Sequence, residues 1–362
     1  MATAEQILSA LREIEVPDLG ADLVTLGMVQ DVKSLHGIVT FTIVVKPGAT
    51  ALQGQLDAPV KAAVRALPGI SDVAVHWLVK PEARPAAAPA AKGTPPGGPA
   101  GLPAGVKHVI AVGSGKGGVG KSTVTANLAL ALSASGLRVG VLDADIYGPS
   151  MPFLLGVTGE KPHVENDKLV PIEAHGLKVM SMGFLLPDPD EPVVWRGPML
   201  AGAMRQFFQD VSWGELDCLL VDLPPGTGDV PLSLVQLVPV SGAVIVLTPQ
   251  PVAAAIGTKT LRMLQAAKAP ILGVVENMSH FVCGCGRETD IFDRGGGRIV
   301  AEHAEVPFLG EIPLDPAIRA SGDRGIPVVV AEPDGAHAQA FHRLATAVQE
   351  QLLHASTPLS RR

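Results

Sequence analysis

Gly115-Lys116-Gly117-Gly118-Val119-Gly120-Lys121-Ser122 is the stretch on which the reading of the fold turns. It fits the pattern G-x-x-x-x-G-K-[ST] in full. A short apolar run at 108–112 precedes it, and a segment of helical spacing at 121–133 follows. Glycines let a backbone wrap tightly with its N–H groups pointing inward, and a helix N-terminus adds partial positive charge. Such a loop cradles phosphate oxygens. Lys121 is placed to neutralise β- and γ-phosphates and Ser122 to ligate Mg²⁺, with Thr123 the next residue at the nucleotide. Lys116 is not required for that cradle and is either a solvated loop lysine or a residue with a further task.

Working outward, short β-rich runs alternate with helical ones. Strands are expected at 108–112, 139–143, 179–182, 218–222, 243–247, 271–276 and 308–312, and helices at 121–133, 199–208, 252–267 and 336–353. Strands apolar throughout and separated by helices indicate a parallel sheet covered on both faces. The expected fold class is therefore α/β, a P-loop NTPase with a mostly parallel sheet covered by helices, plus a small N-terminal α/β domain. Ligands in such folds sit at the carboxyl ends of the strands. Two carboxylates, Asp143 and Asp145, end the second strand, where each can serve magnesium or an attacking water, or simply cap the following segment. Asp222 ends a buried strand in the manner of a Walker B acid, and the loop 223–229 after it is positioned to sense a γ-phosphate. Asp229 is either part of that sensor or the N-cap of the next helix. Asn277 carries an amide able to read an adenine edge, or marks a structural turn.

The remainder of the chain sets bounds. Its 362 residues are 47% apolar but only 4% aromatic, so a large core must be built from Val, Leu, Ile and Ala. Residues 81–106 are mostly Ala, Gly and Pro and read as a semi-extended linker between domains at 1–80 and 107–362. The first domain shows a helix–strand–strand–helix–strand pattern, with a hairpin turn expected at His36-Gly37. The net charge of −7 leaves no broad positive surface for nucleic acid. Three cysteines suit a reducing compartment rather than a disulfide scaffold. The N-terminus is too acidic for a signal peptide, and no run approaches the ~18 apolar residues of a membrane span. A cytoplasmic protein is expected, with no membrane and no nucleic-acid partner.

Cys283 and Cys285 lie in a short glycine-interrupted loop, whereas Cys218 falls on the Asp222 strand as a small buried apolar residue. Two thiols cannot complete a tetrahedral or four-cysteine site, but two chains could supply four. A redox pair or inert loop cysteines remain open.

The loop with Lys116 resembles the deviant Walker A family. Asp143-Ala-Asp-Ile-Tyr-Gly-Pro-Ser150, Trp195-Arg-Gly-Pro198, Val221-Asp-Leu-Pro-Pro-Gly-Thr-Gly-Asp229 and Glu276-Asn-Met-Ser279 narrow the resemblance to the Mrp/Nbp35-type, ApbC-like iron–sulfur cluster carriers. The N-terminal domain resembles the MIP18 (DUF59) module. The resemblance implies a slow ATPase using ATP and Mg²⁺, with Lys116 reaching across a homodimer to the partner's nucleotide. It implies Asp145 for water activation, Asp143 and Asp222 for magnesium, and adenine recognition at Asn277 and near Pro313-Leu314-Asp315. It also implies an iron–sulfur cluster, of [4Fe–4S] type, held between two chains by Cys283 and Cys285 and passed to client apoproteins with assembly factors. Two features depart from the pattern. The family usually has C-x-x-C where this chain has Cys283-Gly284-Cys285, and Ala49 stands where the N-terminal module often has a cysteine. A positioning ATPase of the MinD/ParA type, and the same ATPase with structural zinc between protomers, are the alternatives.

Overall fold

The computed structural model describes residues 3–17, 20–35, 38–45, 50–70, 72–79, 101–146, 148–185 and 197–356. The expected turn at His36-Gly37, Ala49, residues 81–100 of the linker, and Trp195-Arg196 lie outside them. The chain divides into two compact units, Met1–Pro95 and Pro96–Arg362.

The first unit follows the expected order: α1 (Ala4–Arg12), β1 (Val29–Leu35), β2 (Ile38–Val45), α2 (Thr50–Arg65) and β3 (Asp72–Val79). Its three strands lie in that order, the first pair antiparallel and the second parallel. Ile7 and Leu11 of α1, Val60 and Val64 of α2, and Val39, Phe41 and Ile43 of β2 form its core. Thr3 and Gln6 close a capping box that starts α1.

The second unit opens with β4 (Val106–Ser114), α3 (Lys121–Ala134), β5 (Val139–Asp143) and the single turn α4 (Met151–Leu154). Short strands β6 (His163–Glu165), β7 (Lys168–Val170) and β8 (Ile172–Ala174) lead into β9 (Leu177–Ser181). Then follow α5 (Gly197–Gln209), β10 (Leu216–Asp222), α6 (Asp229–Leu237), β11 (Gly242–Leu247), α7 (Pro251–Ala266) and β12 (Ile271–Asn277). A small hairpin, β13 (Phe281–Val282) and β14 (Glu288–Thr289), separates β12 from α8 (Gly296–His303) and β15 (Phe308–Ile312). The final helices are α9 (Pro316–Asp323), α10 (Val328–Ala331) and α11 (Ala336–Ser356).

Eight strands form one sheet in the order β15-β12-β11-β4-β10-β5-β9-β8. All neighbours are parallel except β8 against β9. All seven strands expected of this unit are present. The phosphate-loop strand β4 is central, and its side chains alternate between two cores. Ile110 and Val112 join the core under α3 and α11, whereas Val109 and Ala111 join the core under α5, α6 and α7. Burial on both faces is why the strands read as continuous apolar runs. The C-terminal helix uses Phe341, Leu344, Val348 and Leu352 for the core, all buried. Among the described residues no helix is long and apolar enough to cross a membrane.

Val106, expected as the last linker residue, opens β4 instead. The segment before it is already packed: Gly105 has φ +81, and a Cβ there would lie 2.3 Å from the Gly214 carbonyl oxygen. Leu216 also donates its N–H to the Gly105 carbonyl at 2.9 Å.

Asp217 ties the beginnings of three central strands. It accepts from Lys107 Nζ at 2.8 Å, from the Arg138 backbone at 2.9 Å, and from Arg138 Nε and Nη2 at 3.3 Å. These donors, Arg138 first, hold its carboxyl well below the ordinary aspartate value of 3.8. The unfolded chain therefore binds the proton more readily than the folded one. This contribution to stability is complete above the ordinary value and lost as pH falls through the lowered one. Urea denaturation of wild type and Asp217→Asn at pH 7 and pH 3 should show the variant destabilised at pH 7, with the difference shrinking at pH 3. An equal difference at both pH values would show that Asp217 does not stabilise as a carboxylate.

Candidate functional site at the phosphate loop and cysteine hairpin

The phosphate loop joins the end of β4 to the first turn of α3. Gly118 and Gly120 have φ of +79 and +78, a left-handed conformation that L side chains rarely adopt. At Gly120 space is also closed, because a Cβ would lie 2.2 Å from Asn277 Nδ2. Gly115 is pressed against α7, where a Cβ would lie 2.7 Å from the Ile256 carbonyl carbon.

Lys121 is only 6% exposed, and its Nζ lies 2.7 Å from Asp222 Oδ2. Ser122 Oγ donates to the same oxygen at 2.5 Å, and Thr125 Oγ1 donates to Asp222 Oδ1 at 2.8 Å. The fully buried Asp222 carboxylate thus receives an ammonium and two hydroxyls, all from the N-terminal end of α3. Thr125 lies one helical turn after Lys121 on the same face. That spacing was available in the sequence, but no role for Thr125 follows from the motif itself.

Asp143 sits opposite Asp222 on the neighbouring strand and is also fully buried. It accepts from the backbone N–H of Asp145 (3.1 Å), Ser150 (2.9 Å) and Met151 (3.0 Å), and from Ser181 Oγ (3.0 Å). Burial first, and then the Asp222 charge, raise it to about 7. The local backbone has taken up the Asp143 carboxylate, which anchors the loop leading into α4. Asp145 is 8% exposed and lines a cavity of about 260 Å³ shared with loop residues 116–123, Phe153 and Pro225. A second cavity of about 420 Å³ continues from Asp145 and Pro225 to Pro224, Val230 and Pro231.

The 223–229 loop is tied to the phosphate-loop strand. Leu223 donates to the Val112 carbonyl at 3.0 Å, and Gly226 donates to the Ser114 carbonyl at 2.9 Å. Gly228, rather than Asp229, is the N-cap of α6. Lys116 is half-buried, and its Nζ donates to Gln250 Oε1 at 3.2 Å just before α7. Nothing in the sequence pattern marked Gln250.

Two of the residues expected at adenine make contacts of their own in this structure. Asn277 Nδ2 donates to the Val119 carbonyl at 2.8 Å and so clamps the phosphate loop. Asp315 is the N-cap of α9, accepting from Ala317 N at 2.7 Å, with His337 Nε2 at 3.4 Å. Pro313 is half-buried and does not line the cavity at the loop. At Asn277 and at Asp315 a backbone group lies within the short reach of the side chain and pairs with it.

Cys283 and Cys285 occupy the tip of the β13–β14 hairpin and are joined as a disulfide, with Cα atoms 5.3 Å apart. Cys283 donates its N–H to Arg287 O at 3.0 Å, and Gly286 donates to Cys283 O at 2.8 Å. Cys285 is exposed and Cys283 half-buried. Cys218 is 1% exposed, and burial pushes its thiol up to about 12, so it stays neutral. Among the described residues, no group of three or more His, Cys, Asp or Glu is arranged to hold a metal ion. The base of the hairpin is braced by Arg294, whose Nη1 meets Glu288 at 2.9 Å. Its Nε and Nη2 meet the two oxygens of Glu311 at 3.2 and 3.1 Å. Sequence reasoning missed this brace because its partners are scattered along the chain.

Residues 105–349 match the family described as NUBPL iron-transfer P-loop NTPase, and residues 4–77 match the iron–sulfur cluster assembly protein family. A Synechocystis protein named iron–sulfur cluster carrier protein is 44% identical, over 97% of each chain. A Deinococcus radiodurans protein of the same name is 45% identical, over 96% of this chain and 95% of its own. Among solved structures, an Archaeoglobus fulgidus nucleotide-binding protein in complex with ADP is 43% identical. It superposes with a TM-score of 0.57, over 65% of this chain and 92% of its own. The Pyrococcus furiosus cell division ATPase MinD is 27% identical, with a TM-score of 0.51 over 67% of this chain and 98% of its own. The phosphate loop, the Asp222 strand and the fold around them thus go with near full-length identity above 40%, and the chain belongs to the NUBPL iron-transfer family of P-loop NTPases.

Proposed function

We propose that this chain is an ATP-hydrolysing carrier that binds an iron–sulfur cluster between two copies of itself and passes it to apoproteins. One observation carries the reading. A complete phosphate loop and a hairpin whose tip carries two adjacent cysteines, paired with each other here, lie in one unit, and no third ligand stands beside them among the described residues. Four thiolates are the ordinary ligand set of a [4Fe–4S] cluster, so two chains would provide it. The thiols ligate in their reduced, deprotonated form. The relatives named as cluster carriers, and the solved relative that binds ADP, support both halves of the reading.

ATP would lie with its phosphates against residues 115–123. Lys121 neutralises the β- and γ-oxygens, and the inward N–H groups orient them. A buried carboxylate beside a hydroxyl is a hard-oxygen donor set that fits Mg²⁺. Ser122 and Asp222 would hold the ion, and Asp143 would support them by fixing the loop behind. When bound, Mg²⁺ neutralises phosphate charge. Asp145, on the cavity wall, would orient the attacking water, and Lys116 would leave Gln250 to meet the partner's nucleotide. The MinD-type positioning reading is less well supported, because the apolar face of α11 is already used in the core.

Asn277 tests how the base is held. If its main task is to clamp Val119, Asn277→Ala should weaken ATP and GTP binding alike, by about tenfold for one lost buried hydrogen bond. A loss confined to ATP in equilibrium dialysis would instead assign Asn277 to adenine reading.

Iron, zinc and acid-labile sulfide analysis of anaerobically prepared protein tests the carrier reading. One cluster per two chains is expected, and zinc without sulfide would overturn it. Cys283→Ser and Cys285→Ser should each lose the cluster while keeping ATP binding. Cys218→Ser should keep the cluster and lose about 1–3 kcal/mol of stability from a buried hydroxyl.

A further inference from the structure

We infer that the end of β12 links the phosphate loop to the cysteine hairpin, with Glu276 and Arg294 as positioning residues that carry nucleotide state to the thiols. The inference rests on the proposed carrier function and adds a route for communication within one chain.

Successive side chains on a strand point to opposite faces. Val275 and Asn277 face the core under α3, whereas Val274 and Glu276 face the core that contains Val300 and Ala301 of α8. Asn277 therefore reaches the phosphate loop on one face, at the Val119 carbonyl. Glu276 reaches the segment just after the cysteine hairpin on the other. Its carboxylate is fully buried and accepts from Gly295 N at 3.0 Å and Gly297 N at 2.6 Å. Charge-assisted bonds at a helix N-terminus are among the stronger ones a carboxylate makes.

Neither contact has slack. A Cβ on Gly120 would overlap Asn277, and a Cβ on Gly297 would lie 2.9 Å from Glu276 Cβ. A displacement of the loop at Gly120 therefore meets the strand end directly, and a displacement of the strand end meets α8. Arg294 lies next to Gly295 and holds Glu288 of the hairpin, so movement at the start of α8 is passed to the strand after Cys285. Glu311 of β15 fixes the other side of Arg294 through two parallel bonds. Close-packed contacts of this kind shift between discrete arrangements rather than deform gradually.

Contact alone does not establish coupling, so the test measures it. The full chain is reduced and left free of cluster, and iodoacetamide labelling of Cys283 and Cys285 is timed by mass spectrometry. Labelling is compared with and without a non-hydrolysable ATP analogue and Mg²⁺. Wild type should change its labelling rate on nucleotide addition by about fivefold or more. Glu276→Gln keeps the size of the side chain but loses one acceptor. It should bind the analogue as wild type does and lose most of that response. Arg294→Ala, a surface change that leaves the buried contacts intact, should do the same, with Arg294→Lys restoring part of it. A wild type whose thiols ignore the analogue, or an Arg294→Ala protein with the full response, overturns the inference. The assay needs no cluster. A nucleotide response in a protein that binds no iron and sulfide would therefore reject the carrier reading and keep the linkage.

Discussion

The buried carboxylate of Asp222 is the constraint around which the nucleotide site is built. Removing such a group from water costs several kcal/mol unless charge and hydrogen bonds replace the solvent. Here Lys121, Ser122 and Thr125 replace it, and all three belong to the N-terminal end of α3. β10 and α3 are thus bound to each other at the point where the phosphate loop closes. The loop's shape is set from outside as well as by its glycines. Asn277 holds it from β12, Ile256 of α7 lies against Gly115, and the Ser114 carbonyl is tied to Gly226.

Asp143, one strand away at the same level, has hydrogen bonds but no cation of its own. Burial first, and then the neighbouring Asp222 charge, raise its carboxyl, while the Lys121 ammonium lies directly against Asp222. The two carboxylates look interchangeable along the chain, since each ends an apolar strand. They differ because α3 delivers its ammonium and hydroxyls to Asp222, whereas residues 145–151 deliver backbone N–H groups to Asp143. One acid is matched to positive charge and the other to a turn.

That contrast also explains what could be read in advance. The sheet was legible because β4 has both faces buried, so Val109, Ile110, Ala111 and Val112 form an apolar run whose helical neighbours punctuate it. The ends of the strands were legible as the place where polar residues gather. What the sequence did not contain was the partner of each polar residue. Asn277, Asp143 and Asp315 each accept a hydrogen bond from, or donate one to, a backbone group, and such pairing depends on loop geometry rather than residue type. Short exposed pieces such as β6, β7, β13 and β14 carry too few residues for any periodicity to show. Arg294 and Gln250 have no pattern at all, since their partners stand at unrelated positions along the chain.

The two kinds of cysteine show the same physics from the chemical side. Cys218 is held among apolar neighbours, and its thiolate would have to form without solvent or a counter-charge, so it is fixed as a thiol. Cys283 and Cys285 sit on a hairpin that barely touches the core, where thiolates can form and ligands can exchange. Such a hairpin would wander without support. Its brace is built from partly exposed ion pairs, which contribute little net stability, about 0–1 kcal/mol each. The Arg294–Glu311 fork therefore acts mainly through geometry: it selects one orientation for the hairpin at a small energetic cost for leaving it. Under the proposed carrier function, a site that both holds and surrenders its cargo is better served by such a brace than by a rigid apolar mount. The strong contacts, those of Glu276 and Asp222, are kept in the interior, where the nucleotide end of the unit has to stay in register.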